Sequence, residues 1–578
     1  MIILGIHDGH NAAACLFGDG VVLAAHQEER LSRQKNQGGF PARAIASVLR
    51  IAGLRLDQID RVAFAGRLLS PLPPSPEAQR LSYKNNSGLT AALRGAFKRT
   101  VVDRGRQARS NARRLEQMRA LGFSGPVEFI DHHTCHASAA YYGSGQTRDD
   151  VLVLTLDGAG DRICATVNVG RGGRLERIAS VDESCSPGIV WATITAMSGM
   201  VALEHEYKLM GLAPYAAHTA SERIAHRLAQ WFRFLEPGLT WRLASGIPAT
   251  TRCYDYLRRL MEFERFDAVA GGLQLFTERF VSTWVRNCIR VTGIRNVALG
   301  GGVFMNVKVN KTVMELEEVE HLFVFPSCGD ETNPIGVCYH LAAAAGESIR
   351  PLADLYWGPE FSPGEINAAV RGHRFSVPVA IRESPRVEEE VAAMLARGEI
   401  VGRFSGREEF GARSLGNRAL LAPPRAVPAV QQLNEMIKQR DFWMPFALSI
   451  ADDRAGDYLH NRKAITAPYM ILCFDTTAAG RKLVAGIHPR DRTVRPQIVS
   501  AKSNPGYYRL IKTYERLTGI GAMVNTSLNL HGEPLVSTPA DALRLLEISG
   551  LGHLALGNLL ISKQEHLLHA NSGEPMSA

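Results

Sequence analysis

The chain has 578 residues, of which 46% are hydrophobic and 21% charged, with a net charge of +9. That composition excludes a disordered or fibrous protein, and the length exceeds the roughly 250–300 residues at which a single core stops growing, so two or three domains are expected. No apolar run approaches the ~18 residues needed to span a bilayer. Met1 to Asp8 carries neither the basic segment nor the cleavage site of a signal peptide, and the nine cysteines are scattered without a CxxC pair. Together these predict a cytoplasmic protein with free thiols. The positive charge is concentrated in residues 89–120, where Arg94, Lys98, Arg99, Arg104, Arg106, Arg109, Arg113, Arg114 and Arg119 are opposed only by Asp103 and Glu116. Phe97 is the one aromatic residue there, so the stacking pattern of a single-strand nucleic-acid binder is missing. This stretch reads as a solvated helical insertion; a docking surface for an anionic partner is the sharper alternative.

In chain order, Ile2 to Ile6 predicts a strand ending at Asp8-Gly9. An apolar run follows around Cys15 to Phe17, then a turn at Gly18-Asp19-Gly20 and a strand from Val21 to Ala25. Pro41 opens a helix with Ile45, Val48, Leu49 and Ala52 on one face; Gly53 closes it, and Val62 to Ala65 follows as a strand. The opening pattern returns about 150 residues later. Val151 to Leu156 leads into Asp157-Gly158, then Ile163 to Val169, a turn at 170–173, and Leu175 to Val181. Two copies of one unit predict a duplicated fold, and the order strand-strand-strand-helix-strand is that of ribonuclease-H-like halves. Duplicated, it is the architecture of actin, sugar kinases and the 70-kDa chaperones, whose acidic glycine loops face one cleft. A third glycine loop, Gly300-Gly301-Gly302, follows the strand Val297 to Leu299, and Cys328-Gly329-Asp330 follows His321 to Phe325 and precedes a helix around 336–345. Such loops let backbone N–H groups approach phosphates.

From Arg350 the composition turns proline-rich, which predicts a domain boundary and two domains, 1–350 and 351–578. The second is also α/β: a helix at Val387 to Arg397, strands at Ile400 to Phe404, Tyr469 to Phe474 and Ala522 to Val524, and a helix capped by Thr538-Pro539. The polar tail after Lys563 is expected to fray.

Three constellations carry candidate chemistry. His132 and His136, four apart on a helix that Asp131 caps, project from one face and can share a metal. With Asp157 and Asp330 from two glycine loops they form a donor set suited to a divalent ion of the iron, manganese or zinc type; His133 and Cys135 read as packing. At the tip of the first strand, His10 beside Asp8 is a candidate general base for a hydroxyl, although a hydrogen-bonded turn is the plainer reading. His7 is set aside because strand alternation puts it opposite Asp8. In the second domain, Arg403 to Arg418 packs four arginines and three glycines into sixteen residues, with Lys438, Arg440, Arg495, Asn525, Ser527 and Asn529 further on. Converging cations with hydroxyl and amide donors suit a triphosphate or carbamoyl phosphate; salt bridges to surface carboxylates would equally account for any one arginine.

These residues resemble the ATP-dependent O-carbamoyltransferases of the nodulation-protein-U, cephem and aminoglycoside type, nearly end to end. The resemblance is carried by Asp8-Gly9-His10-Asn11-Ala12-Ala13, Gln27-Glu28-Glu29-Arg30-Leu31-Ser32-Arg33, His132 to His136, Leu156-Asp157-Gly158, Glu206 to Tyr215, Gly301-Gly302-Val303-Phe304-Met305-Asn306, Cys328-Gly329-Asp330, Phe410 to Arg418 and Asn525 to Asn529. It implies an N-terminal domain similar to the universal tRNA threonylcarbamoyl-transfer protein and a C-terminal domain similar to the threonylcarbamoyl-adenylate synthase. The C-terminal domain is then expected to make carbamoyl adenylate from carbamoyl phosphate and ATP (with Mg2+), using Arg413, Arg418, Lys438, Arg440, Arg495, Asn525, Ser527 and Asn529. The N-terminal domain would move the carbamoyl group to a hydroxyl of a small, natural-product-like acceptor, as in antibiotic biosynthesis. There Gly158, Lys208, Gly301, Gly302 and Asn306 would hold the adenylate, His132, His136, Asp157 and Asp330 an iron(II), and His10 would be the base, with Asp8 orienting it or the acceptor. Two other readings are a tRNA threonylcarbamoyl transferase, which the basic segment would suit, and a non-catalytic ATP-binding regulator. Neither a membrane nor a nucleic-acid partner is expected, and the sequence does not define an oligomeric state.

Overall fold

The apolar run Ile3-Leu4-Gly5-Ile6 lies buried along its whole length, as a strand covered on both faces must be. This strand, β1 (Ile3–His7), centres a five-stranded sheet in a computed structural model that describes residues 1–68, 75–86, 103–438 and 441–564. It pairs antiparallel with β2 (Ala13–Gly18), which pairs antiparallel with β3 (Val21–Gln27). On its other side it runs parallel to β4 (Arg61–Ala65), and β4 parallel to β5 (Val127–Ile130). The helix Ala42–Ala52 connects β3 to β4 and closes on Gly53 in the left-handed conformation, which a residue without Cβ adopts at no steric cost.

A second sheet repeats this plan. β6 (Val151–Gly160), β7 (Ile163–Arg171) and β8 (Arg174–Asp182) form an antiparallel meander. After an inserted hairpin, β9 (Phe232–Leu235) and β10 (Thr240–Leu243), and the long helix Phe266–Thr292, β11 (Asn296–Gly300) joins β6 in parallel and β12 (His321–Val324) joins β11 in parallel. The two orders, β3-β2-β1-β4-β5 and β12-β11-β6-β7-β8, are the same when each is counted from its own first strand, and so are the pairing directions. The duplication read from the sequence is thus a duplication of topology: two ribonuclease-H-like halves in one α/β unit.

Two helices, His132–Gly143 and Asn333–Ala344, pack against each other through glycine. A Cβ on Gly336 would lie 1.9 Å from the Cys135 carbonyl oxygen, and one on Gly5 would lie 2.1 Å from that of Pro334. This close approach brings Cys135 and Pro334, and with them the neighbouring chemistry-bearing residues, to the ends of β1, β6 and β12.

Residues Met1–Glu28 and Asn36–Leu352 form this first unit; Glu29–Lys35 and Ala353–Ala578 form a second. The second is built on an eight-stranded mixed sheet. Its strands are β13 (Val379–Glu383), β14 (Val401–Phe404), β15 (Arg418–Ala422), β16 (Ala447–Ala451), β19 (Pro496–Val499), β20 (Ala522–Ser527), β21 (His553–Leu556) and β22 (Leu559–Lys563), in the order β13-β22-β21-β14-β15-β20-β16-β19. The two-residue strands β17 (Phe474–Asp475) and β18 (Thr493–Val494) pair separately. Thr538 caps the helix Pro539–Ile548 by accepting from the Asp541 N–H.

Two expectations are corrected. Tyr469 to Phe474 is a strand only at its last residue, because Met470 sits at φ 56°, outside the extended region that pairing requires; burial of Met470 to Cys473 explains the strand-like apolar run. The basic segment is not wholly solvated either. Its described part is the helix Asp103–Ala120, and Arg114 is turned inward and 2% exposed; residues 89–102 lie outside the described residues, as does the tail from 565. None of the nine cysteines forms a disulfide, and eight are buried. No helix among the described residues is long and apolar enough to cross a membrane.

Gly336→Ala is expected to destabilise the first unit by at least about 1–3 kcal/mol, the cost of overpacking against a backbone carbonyl. Gly372→Ala, where a Cβ meets nothing within 4 Å, is expected to be neutral or slightly stabilising; urea unfolding monitored for each unit measures both.

Candidate active site

His132 and His136 share a face of the helix His132–Gly143 because their spacing is about one turn. The helix begins where it does because the Asp131 carboxylate accepts from the Thr134 N–H and is itself held by Arg177. Asp157 arrives from β6 and Asp330 from the loop after β12. The His132 and His136 Nε2 atoms lie 3.1 Å apart. Asp157 Oδ2 is 3.1 Å from the first and 3.3 Å from the second, and Asp330 Oδ1 is 3.4 and 3.5 Å from them. All four donor atoms lie within 4.8 Å of one another. Ligands at ~2.1 Å from a common ion stand roughly 3.0–3.4 Å apart in octahedral or tetrahedral arrangement, so the donor set and its spacing fit a divalent cation of the nitrogen- and oxygen-loving type.

The electrostatics point the same way. Burial favours the neutral forms of these histidines, yet the carboxylates of Asp330 and Asp157 hold His132 up to about 10. Burial likewise opposes ionisation of Asp157, but hydrogen bonds from His132 and His136 keep it well below the usual carboxylate range. The pocket is built to hold negative charge against positive. His133 is excluded from it: burial and the neighbouring His132 and His136 push it down to about 3, and its ring bonds Thr155 Oγ1 and the Ile163 carbonyl. This is the packing role its sequence position suggested.

Glycines seat the loops around Asp157. A Cβ on Gly302 would lie 2.9 Å from Asp157 Oδ1, one on Gly301 (φ +100°) 2.5 Å from the Leu156 oxygen, and one on Gly160 2.2 Å from the His132 ring. Gly158 donates its N–H to Asp157 Oδ1, and a Cβ there would meet open space. Asn306 is otherwise engaged: its Oδ1 caps the helix Val307–Met314 at Lys308 and Val309, and its amide exchanges hydrogen bonds with Gln274. Lys208 lies in the first turn of the helix Glu206–Leu212.

At the tip of β1, Asp8 is held by a buried guanidinium: both its oxygens accept from Arg114, Nε to Oδ2 at 2.8 Å and Nη2 to Oδ1 at 2.5 Å, with Arg114 Nη1 donating to the Gly66 carbonyl. Alternation does set His7 opposite Asp8, but His7 is on the side of the histidine–aspartate cluster, its Nε2 3.6 Å from Asp330 Oδ2. The same nitrogen lies 3.0 Å from the His10 carbonyl oxygen, so His7 braces the loop that carries His10. Gly9 permits this, since a Cβ there would lie 2.8 Å from His7 Nε2. Sequence reasoning also missed Asp161, which accepts from the N–H groups of Arg67, Leu68 and His132 and so pins the helix that carries His132 and His136 to the segment after β4. The Asp-Gly-Ala-Gly-Asp loop was the available signal; in the structure Asp161 adopts the left-handed backbone (φ 50°).

In the second unit, Lys438 ends a π-helical turn, Asn434–Lys438. Its Nζ donates to Ser527 Oγ at 3.2 Å, to Asn529 Oδ1 at 2.6 Å and to both residues' carbonyl oxygens. These three predicted residues therefore converge. Arg440 lies outside the described residues. Arg413 is half-buried on the loop before β15, and Arg495 half-buried just before β19. Two others brace the framework. Arg418 is fully buried, donates to the carbonyls of Ser405, Gly406, Asn417 and Pro359, and lies 3.6 Å from the Phe404 ring centroid. Asn525 donates to Ser414 O, Ser449 Oγ and Gln497 Oε1 inside the sheet. Glu409, unremarked in the sequence, organises the arginine loop by accepting from Ser414 Oγ and the N–H groups of Leu415, Asn417 and Arg418.

The carbamoyltransferase N-terminus model matches residues 2–339 and the carbamoyltransferase C-terminus model residues 392–563. The chain belongs to the carbamoyltransferase family. It is a transferase enzyme with both halves of that family present. It is 30% identical to nodulation protein NolNO of Sinorhizobium fredii, over 96% of this chain and 79% of that protein. It is 29% identical to the uncharacterised protein sll1178 of Synechocystis, over 96% and 95% of the two chains. Among solved structures, HypF of T. kodakarensis overlaps 60% of this carbamoyltransferase and 48% of its own chain at 15% identity and a TM-score of 0.31. Component A of the Acidaminococcus fermentans (R)-2-hydroxyglutaryl-CoA dehydratase overlaps 60% and 99% at 14% identity and the same score. The strand orders, not these overlaps, define the fold here.

Asp8→Asn is expected to cost about 3–5 kcal/mol, because it leaves the Arg114 guanidinium buried without its counter-charge. Asp8→Leu combined with Arg114→Met is expected to recover most of that loss; urea unfolding of the first unit distinguishes the two.

Proposed function

We propose that this carbamoyltransferase divides its reaction between its two units. In the second, carbamoyl phosphate and water give carbamate and phosphate; the carbamate oxygen then attacks the α-phosphorus of Mg2+-bound ATP, releasing pyrophosphate and leaving carbamoyl adenylate. Lys438, Ser527 and Asn529 bind there, with Arg413, Arg440 and Arg495 as the remaining cationic groups. In the first unit, a hydroxyl of a small-molecule acceptor attacks the carbamoyl carbon, its proton passes to His10, and AMP departs. The observation that supports this reading is that each unit holds its own polar site, an aspartate–histidine cluster in one and a lysine-centred oxygen cluster in the other. An adenylate is a stronger acyl donor than carbamoyl phosphate and has to be made and kept away from water.

His132, His136, Asp157 and Asp330 would hold a divalent ion, iron(II) by the family resemblance, which when bound supplies Lewis-acid stabilisation of phosphate charge. The chain's own groups do the rest. The Gly300–Gly302 loop and Gly158 offer a backbone surface without side chains to an adenylate. His10 removes a proton that an alcohol would not release near neutral pH, and His7 holds the His10 carbonyl in place.

Purified protein given carbamoyl phosphate, ATP and a panel of alcohols is expected to release AMP and pyrophosphate in equal amounts; ADP without AMP would overturn the scheme. His136→Ala is expected to lose carbamoyl transfer and most bound divalent metal, read by elemental analysis, while keeping carbamoyl-phosphate-dependent pyrophosphate release. His10→Ala is expected to slow transfer by about 10²–10⁴-fold, the usual cost of a lost base, with metal content and pyrophosphate release unchanged.

A further inference from the structure

The motif Gln27 to Arg33 has no part in the chemistry above, yet its second half leaves the first unit. Residues Glu29–Lys35 pack as part of the second unit, between two segments of the first. They do so through two arginines three residues apart. Arg30 is 3% exposed and donates from Nη1 to Glu408 Oε1 at 2.8 Å and from Nη2 to the Gly411 carbonyl at 2.5 Å. Arg33 donates from Nη1 and Nη2 to the carbonyls of Leu535 and Pro534 at 2.6 and 2.9 Å, and lies 3.6 and 3.7 Å from the carboxylates of Glu533 and Asp541.

The targets of the two side chains lie on two loops that meet the ends of paired strands: one runs into β15, the other follows β20, Ala419 pairs with Ser527, and the Arg418 carbonyl accepts from the Leu528 N–H. Glu408 and Gly411 open the stretch that runs through Arg413 to Arg418, whose turn Glu409 organises. Glu533 to Leu535 follow Asn529, which accepts from Lys438 and whose own Nδ2 donates to the Glu533 carbonyl. Glu408 also ties the loops directly, its Oε2 accepting from Ser537 Oγ at 2.5 Å. A guanidinium can hold a carboxylate and a carbonyl at once through its fixed fork, which a lysine cannot, and a charged pair this buried is expensive to break.

We infer that Arg30 and Arg33 are positioning residues for the carbamoyl-phosphate and ATP site of the second unit: Arg30 sets the loop that carries Arg413, and Arg33 sets the loop that presents Asn529. The kinetic consequence rests on the proposed adenylate reaction; the structural one does not. In the full chain, Arg30→Gln is expected to speed amide hydrogen exchange of residues 409–418 at least about tenfold, and Arg33→Ala that of residues 529–537, with the first unit unchanged. Each is expected to raise KM for carbamoyl phosphate in pyrophosphate release about tenfold while kcat stays within about threefold, and Arg30→Lys to fall between wild type and Arg30→Gln. Should Arg30→Gln fail to fold, Arg30→Gln with Glu408→Gln, which removes both charges, and the Arg33 variants carry the same measurements. Unchanged exchange in the two loops, or exchange that rises equally throughout the chain, would overturn the inference. Wild-type protein that releases no pyrophosphate would instead sink the adenylate reading, and the exchange pattern would still decide the role of the two arginines.

Discussion

Two carboxylates and two imidazoles meet within 4.8 Å in the first unit, and this arrangement dictates much around it. Groups of like charge buried so close to one another are unfavourable unless positive charge lies among them, and every loop that delivers one of the four is correspondingly constrained. The glycines at 160, 301 and 302 are there because the loops come within van der Waals contact of Asp157, Leu156 and His132. Gly336 allows the helix after Asp330 to press onto the helix that carries both histidines. The duplicated topology supplies the geometry: Asp157 lies in the C-terminal half of β6, while β12 ends just before the loop of Asp330.

A different economy operates in the second unit, where several of the described arginines hold backbone carbonyls. Arg403 donates to the Gly416 carbonyl and Asn417 Oδ1, and Arg418 satisfies four carbonyls. Buried guanidiniums of this kind organise loops, since each can close several backbone turns at once. The Lys438 ammonium is likewise held, by oxygens of Ser527 and Asn529. Part of the abundance of cations that suggested phosphate binding is therefore scaffolding.

The tip of β1 shows how a correct local rule can still mislead. Alternation puts His7 and Asp8 on opposite sides, as expected. Which side faces the chemistry depends on where the helix Asp103–Ala120 delivers Arg114, and nothing in the heptapeptide around His7 reports that. Once Arg114 takes Asp8, the carboxylate becomes an anchor and His7 becomes the neighbour of Asp330.

The sequence by itself determined the repeated strand–loop–hairpin plan, the four donors at the metal-like cluster, the convergence of Lys438 with Ser527 and Asn529, and the family. The family rests on the resemblance of its motifs; the others rest on local periodicity, on the one-turn spacing of two histidines, on the grouping of cations with hydroxyl and amide donors, and on glycine loops whose conformational demands are written in single residues. Only the tertiary structure decided that Asp8 belongs to Arg114, that Asn306 caps a helix, that Arg418 and Asn525 are framework, that Tyr469 to Phe474 is mostly irregular, and that Glu29–Lys35 packs with the second unit. Apart from the Asn306 cap, whose partners Lys308 and Val309 are near neighbours, these depend on partners as far as 106, 111 and 502 positions away in the chain or on a backbone angle, and a buried polar side chain is assigned its role by whichever partner satisfies it. Residue type and spacing state what a group can do, and the folded surroundings choose among those possibilities.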